Sequence, residues 1–152
     1  MNIVIEGCDG TGKSTIAKHL CERFGLHYWH ESQPRTFEEY RQMLLSGGVV
    51  FDRFCFGQFV YNPPEEQLLS FEELKTLVHQ IFPVTGTILL YVDAHTDTII
   101  SRLLKRGEGS EEIIPEMTKY LKNIRGTYKS IFNKCEAPYI EINGEGGKNY
   151  VQ

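Results

Sequence analysis

The sequence has no apolar run long enough to cross a membrane, and it has no internal repeat, low-complexity tract or flexible linker. A membrane-spanning helix needs about 18 consecutive apolar residues, and the first residues do not have the pattern of a secretory signal. We therefore expect a soluble, cytoplasmic protein with no membrane partner. Because 152 residues are about the size of one domain, a single domain over 1–152 is predicted.

The chain also lacks a basic excess and any paired cysteine motif. Its formal net charge is -4 at pH 7, whereas nucleic-acid-binding domains usually carry clustered lysine and arginine, so the composition argues against a nucleic-acid partner. The cysteines show neither CxxC spacing nor neighbouring histidines, and they do not match the common zinc sites. Reduced thiols are expected at Cys8, Cys21, Cys55 and Cys135.

Apolar runs alternate with helical patterns along the whole chain, which is typical of an α/β protein. Parallel strands joined by right-handed crossovers build a sheet with helices on both faces. We expect a three-layer αβα sandwich around a mostly parallel five-stranded sheet, with ligands bound at the carboxyl ends of its strands. Strands are predicted at 2–5, 27–30, 49–51, 88–92 and 139–142, and helices at 13–24, 36–46, 71–82, 96–106 and 115–133.

One glycine-rich motif lies between the first strand and the first helix. The segment from Gly7 to Ser14 matches G-x-x-x-x-G-K-[ST]. Glycines let the backbone N–H groups turn inward around phosphates, and the helix N-terminus adds a positive dipole. Lys13 supplies a cation for the β- and γ-phosphate oxygens, and the Ser14 hydroxyl suits Mg²⁺. The residues predicted to bind the triphosphate of ATP are Gly7, Asp9, Gly10, Thr11, Gly12, Lys13, Ser14 and Thr15.

A carboxylate and a guanidinium follow the third predicted strand. Asp52 stands at the carboxyl end of this strand, where P-loop proteins place the second group that holds magnesium. We therefore predict Asp52 as a metal-site residue together with Ser14. Arg53 is predicted to bridge the transferring phosphoryl group and its acceptor; the alternative is a plain Asp-Arg ion pair at a strand end.

Two arginines lie four residues apart on one face of the helix at 96–106. An arginine that closes over a triphosphate stabilises the charge of the transition state, although solvated basic helix faces are also common. We predict a short lid around 102–118, in which Arg106 acts in catalysis and Arg102 contacts the nucleotide.

These motifs resemble those of the thymidylate kinase family. The segment from Ile5 to Thr15 is similar to the family's E-G-x-D-G-x-G-K-S-T loop, and the segment from Asp52 to Tyr61 is similar to its D-R-[YFH] segment. The resemblance implies a P-loop kinase fold, ATP and Mg²⁺ as cofactors, and phosphorylation of a deoxynucleoside monophosphate, with thymidylate the first to test. It also implies that Asp9 approaches the acceptor sugar and that Asn143 to Gly147 approach the adenine.

The chain departs from the family after the second strand, where R-E-P-G is replaced by His30 to Pro34. Glu31 in this position resembles the glutamate with which deoxynucleoside kinases activate a sugar hydroxyl. A deoxynucleoside kinase, or a nucleotide-binding regulatory protein without catalysis, therefore stays an alternative. Base specificity and a possible homodimer are left open, and the shortened form would suit a phage-encoded enzyme.

The acceptor site is predicted from groups that recognise a phosphate, a sugar hydroxyl or a base. Cations such as Arg41 suit a phosphate, a carboxylate such as Glu31 accepts a proton from a hydroxyl, and Phe56 belongs to a group of aromatics that can stack on a base. Aromatics at this spacing more often pack in a core. The predicted substrate residues are Asp9, Glu31, Arg41, Arg53 and Phe56.

Overall fold

Strands and helices alternate along the chain in the computed structural model, which describes residues 1–145. The strands are β1 (Asn2–Glu6), β2 (His27–His30), β3 (Val49–Asp52), β4 (Thr87–Asp93) and β5 (Ile140–Asn143). The helices are α1 (Lys13–Phe24), α2 (Phe37–Ser46), α3 (Gly57–Tyr61), α4 (Phe71–Thr76), α5 (Phe82–Thr85), α6 (Thr96–Lys105) and α7 (Ile114–Lys134).

The five strands form one sheet in the order β2-β3-β1-β4-β5, and every neighbouring pair is parallel. The strand β1 lies at the centre, with Ile5 beside Asp52 of β3 on one side and beside Leu90 of β4 on the other. The carboxyl ends of β1 and β3 therefore meet at one edge of the sheet. This edge holds both the glycine-rich loop and Asp52.

Two apolar clusters cover the two faces of the sheet. Side chains alternate between faces along a strand, so Ile3 and Ile5 of β1 pack with Ile16 and Leu20 of α1, while Val4 belongs to the larger cluster with the other helices. The predicted αβα sandwich and its five-stranded sheet are thus confirmed. In the part of the chain that the structure describes, no helix combines the length and apolarity of a membrane span.

The helix predicted at 71–82 is divided into three parts. The α-helix α4 passes into a π-helical turn, Leu77–Ile81, before α5 begins. Pro83 explains this turn, because proline has no N–H to donate and its ring clashes with the carbonyl four residues earlier. The sequence reasoning did not predict α3, a five-residue helix that is too short for a periodic pattern to reveal.

Candidate active site

The loop between β1 and α1 has a backbone that only glycine adopts without strain. Gly10 and Gly12 have φ angles of +84° and +93°, in the region that side-chain-bearing residues rarely enter. A Cβ at Gly7 would lie 2.4 Å from the Val92 carbonyl oxygen, so the loop packs directly on β4. The Thr11 hydroxyl donates to the Cys8 carbonyl at 2.9 Å and closes the turn.

The first turn of α1 brings Lys13 and Ser14 to the end of β3. The Lys13 ammonium lies 3.0 Å from one Asp52 carboxylate oxygen, and the Ser14 hydroxyl donates to the other at 2.7 Å. Asp52 is fully buried, and Lys13 is 5% exposed. The Ser14 hydroxyl and the Asp52 carboxylate supply oxygen ligands of the kind that Mg²⁺ prefers, and the glycine loop beside them suits phosphates. These residues therefore fit both Mg²⁺ and a nucleotide.

Tyr28 of β2 is a third partner of Asp52 that the sequence reasoning missed. Its hydroxyl donates to the carboxylate oxygen that also accepts from Ser14. Burial alone would raise the pKa of Asp52, but the Lys13 ammonium and the hydrogen bonds from Tyr28 and Ser14 outweigh it and hold the pKa below its usual range. Asp52 therefore stays ionised at neutral pH.

A cavity of about 440 Å³ opens over the loop and the first turn of α1. This cavity, called the donor cavity below, has a size usual for ligand sites. Arg102 donates to the Gly10 carbonyl at 3.1 Å, and Arg106 pairs with Glu108 at 3.1 Å. The lining residues are Asp9, Gly10, Gly12, Lys13, Ser14, Thr15, Arg102, Lys105, Arg106 and Gly144.

The donor cavity brings together most of the predicted loop residues with Arg102 and Arg106, whereas Gly7 and Thr11 do not line it. It also adds two residues that sequence reasoning did not assign individually. Lys105 was not singled out, although it stands between Arg102 and Arg106 in sequence. Gly144 belongs to the predicted adenine segment and packs so closely on the Thr11 carbonyl that a Cβ would overlap it. The end of that segment, 146–147, lies outside the described residues.

A second, smaller cleft of about 170 Å³ lies beyond Arg53 and is called the acceptor cleft below. Arg53 pairs with Asp9 at 2.7 Å, and its guanidinium lies 4.3 Å from the centre of the Tyr61 ring. Glu31, only 5% exposed, pairs with Arg35 at 2.6 Å. Among the described residues the Nε of Arg53 and the hydroxyl of Tyr61 have no hydrogen-bond partner. Both atoms are shielded from solvent, so they offer no free hydrogen bond at the open surface of the cleft.

Two predicted substrate residues are placed elsewhere. Phe56 is fully buried and packs edge-on against Phe82 and Phe132, so it belongs to the core and offers no face to a base. Arg41 pairs with Glu38 at 3.1 Å on the surface of α2 and lines neither cavity. The one-turn spacing of these two residues along α2 favours that surface pair.

Two further polar residues organise the site without having been predicted. Gln58 of α3 is buried and makes hydrogen bonds to the Arg35 carbonyl and the Tyr40 hydroxyl, which holds the wall of the acceptor cleft. Arg125 of α7 binds both carboxylate oxygens of Asp93 at 2.9 and 3.0 Å. Because Arg125 also donates to Thr96, it ties α7 to the start of α6.

The fold and this edge of the sheet are similar to those of P-loop nucleotide kinases. No protein-family model matches the chain. Its sequence is thymidylate kinase-like: it is 25% identical to a probable thymidylate kinase of Picrophilus torridus, over all of this chain and 92% of that relative. It is 26% identical to the thymidylate kinase of Leptospira interrogans, over 98% of this chain and 88% of the relative.

Kinases with other named substrates are similar as well. The uridine kinase of Oceanobacillus iheyensis is 23% identical over 98% of this chain and 88% of its own length. These relatives align over 185 to 188 positions, more than the 152 residues of this chain, so they carry insertions relative to it. The relatives support a nucleotide or nucleoside kinase.

Solved structures show the same fold. The YorR protein of Bacillus subtilis, in complex with phosphorylated GDP, superimposes with a TM-score of 0.76 at 21% identity, over 95% of this chain and 86% of that one. The deoxyadenosine kinase of M. mycoides with bound dCTP superimposes with a TM-score of 0.58 at 21% identity, over 97% and 92%.

Proposed function

We propose that this protein transfers the terminal phosphoryl group of ATP to a deoxynucleoside monophosphate, with thymidylate as the first candidate. The observation that carries the proposal is the pairing of Asp9 with Arg53 at 2.7 Å. Asp9 lines the donor cavity and Arg53 lines the acceptor cleft, so the two sites adjoin at this pair. A phosphoryl group at the end of a triphosphate then faces an acceptor across it. The similarity to thymidylate kinases agrees with this substrate class.

Each charged group has a role in the transfer. In this proposal, the loop amides and Lys13 would hold the β- and γ-phosphates, and Ser14 and Asp52 would hold Mg²⁺, which would supply positive charge against the phosphate oxygens. Arg53 orients the acceptor phosphate next to the transferring group. Arg102 and Arg106, in a lid around 102–118 of a single catalytic domain, stabilise the charge that develops on the transferring oxygens and exclude water.

A nucleoside acceptor is the second candidate, and Glu31 is the observation that favours it. Its carboxylate is nearly buried in the acceptor cleft, where it can accept the proton of a sugar hydroxyl if Arg35 moves aside. A carboxylate in the cleft also repels an acceptor phosphate, although Arg35 neutralises it at 2.6 Å. The similarity to a uridine kinase agrees with this alternative.

The experiment is an assay of purified protein with ATP, Mg²⁺ and matched pairs of nucleosides and their monophosphates. Transfer to monophosphates, thymidylate included, supports the first proposal, whereas transfer only to unphosphorylated nucleosides overturns it and supports the second. Saturable binding of MgATP without transfer to any acceptor would identify a nucleotide-binding regulatory protein and would contradict both. A Lys13→Ala variant controls for contaminating kinases.

A further inference from the structure

A buried carboxylate lies behind the active site and takes no part in the proposed transfer. Glu6, the last residue of β1, has no exposed surface. One of its carboxylate oxygens accepts a hydrogen bond of 2.9 Å from the backbone N–H of Phe54. The other accepts a hydrogen bond of 3.0 Å from the Tyr128 hydroxyl of α7. Glu6 therefore joins β1, α7 and the turn that follows β3.

That turn contains a strained residue. Arg53 has a φ angle of +69°, in the left-handed region that residues with a side chain seldom adopt and that persists only where the surroundings impose it. Its N–H donates to the Ile5 carbonyl at 2.8 Å, and the next N–H, that of Phe54, is the one that Glu6 accepts. The left-handed turn is thus held at both of its peptide groups by consecutive residues of β1.

The conformation of this turn decides where the guanidinium of Arg53 lies. With the turn held, the side chain reaches Asp9 and the Tyr61 ring at the entrance of the acceptor cleft. If the turn relaxed to a right-handed conformation, the side chain would leave the backbone in another direction. We propose that Glu6 is a positioning residue for acceptor binding: its carboxylate holds Phe54, and through Phe54 it aims Arg53 into the acceptor cleft. This inference rests on the proposed function.

The charge of Glu6 makes this positioning dependent on pH. Burial raises the pKa of Glu6 to about 7, against the hydrogen bonds from Tyr128 and Phe54 and the charges of Arg53 and Lys13, which lower it. Cys55 and the Tyr61 hydroxyl also face it. An ionised carboxylate accepts a stronger hydrogen bond from an N–H than a protonated one does. The hydrogen bond from the Phe54 N–H to Glu6, which fixes the turn, therefore strengthens as the pH rises from 6 to 8.

The first test observes the contact itself and needs no substrate. In ¹⁵N-labelled protein the amide proton of Phe54 should shift with pH as Glu6 ionises, with a midpoint near 7. The shift should vanish in Glu6→Gln and should move to higher pH in Tyr128→Phe, because the lost hydrogen bond stabilises the ionised form. A Phe54 amide that titrates unchanged in Glu6→Gln would overturn the proposal.

The second test separates positioning from a purely structural role. Between pH 6 and pH 8, the acceptor KM of Glu6→Gln is compared with that of the wild type. The acceptor phosphate titrates in the same range, so the ratio of the two KM values is the readout. We expect a ratio near one at pH 6, where Glu6 is largely neutral, and roughly tenfold at pH 8, the loss expected for weakening one charge-assisted hydrogen bond.

The controls distinguish this proposal from the proposed function. Glu22→Gln changes an exposed glutamate of α1 and should leave the ratio at one throughout. The Kd for MgATP should stay within about twofold in Glu6→Gln, because Arg53 is on the acceptor side. A KM ratio that does not change with pH would overturn the role of Glu6. If the wild type phosphorylates no acceptor, the proposed function fails, and the Phe54 titration still decides whether Glu6 holds the turn.

Discussion

The hydroxyl of Tyr28 donates a hydrogen bond of 2.5 Å to the buried carboxylate of Asp52, although Tyr28 itself is 37% exposed on the edge strand β2. The ionised carboxylate of Asp52 is thus stabilised by a side chain on the solvent side of the sheet. The magnesium site proposed here therefore includes a residue whose role cannot be inferred from the glycine-rich motif.

We expect Tyr28→Phe to lower the free energy of unfolding by about 1 kcal/mol, since a hydrogen bond to a charged group is lost but water can replace part of it. Urea unfolding at pH 7 measures the change. Tyr120→Phe, which alters a tyrosine that is 57% exposed, is the matched control and should be neutral. Equal stability of the two variants would show that the Tyr28 hydrogen bond contributes nothing.

The variant Lys13→Ala should retain its fold and lose catalysis. The lost cation stabilises charge on the transferring group, so kcat/KM should fall by at least about a hundredfold, or ~3 kcal/mol. Steady-state kinetics measures this loss, with circular dichroism to verify folding. Lys119→Ala removes an exposed lysine of α7 and should behave as the wild type. Wild-type turnover by Lys13→Ala would refute the mechanism.

Removing Arg106 should affect the rate more than nucleotide binding. Its side chain is 53% exposed and, within residues 1–145, pairs with the exposed Glu108 alone, so it can move onto the transferring group at little cost. We expect Arg106→Ala to lower kcat by roughly a hundredfold, with the KM for ATP within a few-fold. Arg23→Ala, on the exposed end of α1, is the control. A rise in KM with unchanged kcat would assign Arg106 to nucleotide binding instead.

The buried carboxylate of Glu6 should make the protein less stable at high pH. The pKa of Glu6 is about 7 in the folded state and has an ordinary value of 4.5, so the folded protein binds more protons between these limits. The free energy of unfolding should therefore fall by about 3 kcal/mol as the pH rises from about 4.5 to 7. Above pH 7 the contribution of Glu6 should no longer change. Denaturant unfolding at pH 5 and pH 8 measures it.

The variant Glu6→Gln supplies the comparison for this pH effect. Because glutamine does not ionise, we expect the variant to gain stability relative to the wild type between pH 5 and pH 8. An identical pH dependence in both proteins would place the titration elsewhere. A buried group that reduces stability at the working pH is consistent with retention for function, since activity is often kept at the expense of stability.

The sheet and the phosphate loop could be predicted from the sequence because both leave local patterns. Continuous apolar runs such as Ile3 to Ile5 mark strands buried on both faces, and the glycines before Lys13 have a spacing that few other functions require. The predicted ends of α1 and β2 match the structure. Ser14 and Asp52 were predicted to share one metal site because ligands bind at the carboxyl ends of parallel strands, and the structure joins them by a hydrogen bond.

The acceptor side could not be predicted in the same way, because its contacts depend on packing between distant segments. Aromatics spaced like Phe56 pack in a core more often than they stack on a base, but only the structure, in which Phe82 and Phe132 surround the ring, decides between the two. Arg41 has the charge to bind a phosphate, but its side chain extends along the surface of α2 and pairs with Glu38. Glu6 was not singled out because its partners lie 48 and 122 residues away.

The left-handed backbone of Arg53 also bears on the engineering of this protein. A side-chain-bearing residue in that region costs about 1–2 kcal/mol compared with glycine. Selection for heat resistance alone should therefore favour Arg53→Gly, a substitution that relaxes the peptide and deletes the guanidinium at the same time. Libraries screened only by survival at high temperature would be enriched in inactive clones, so a turnover assay has to accompany each round.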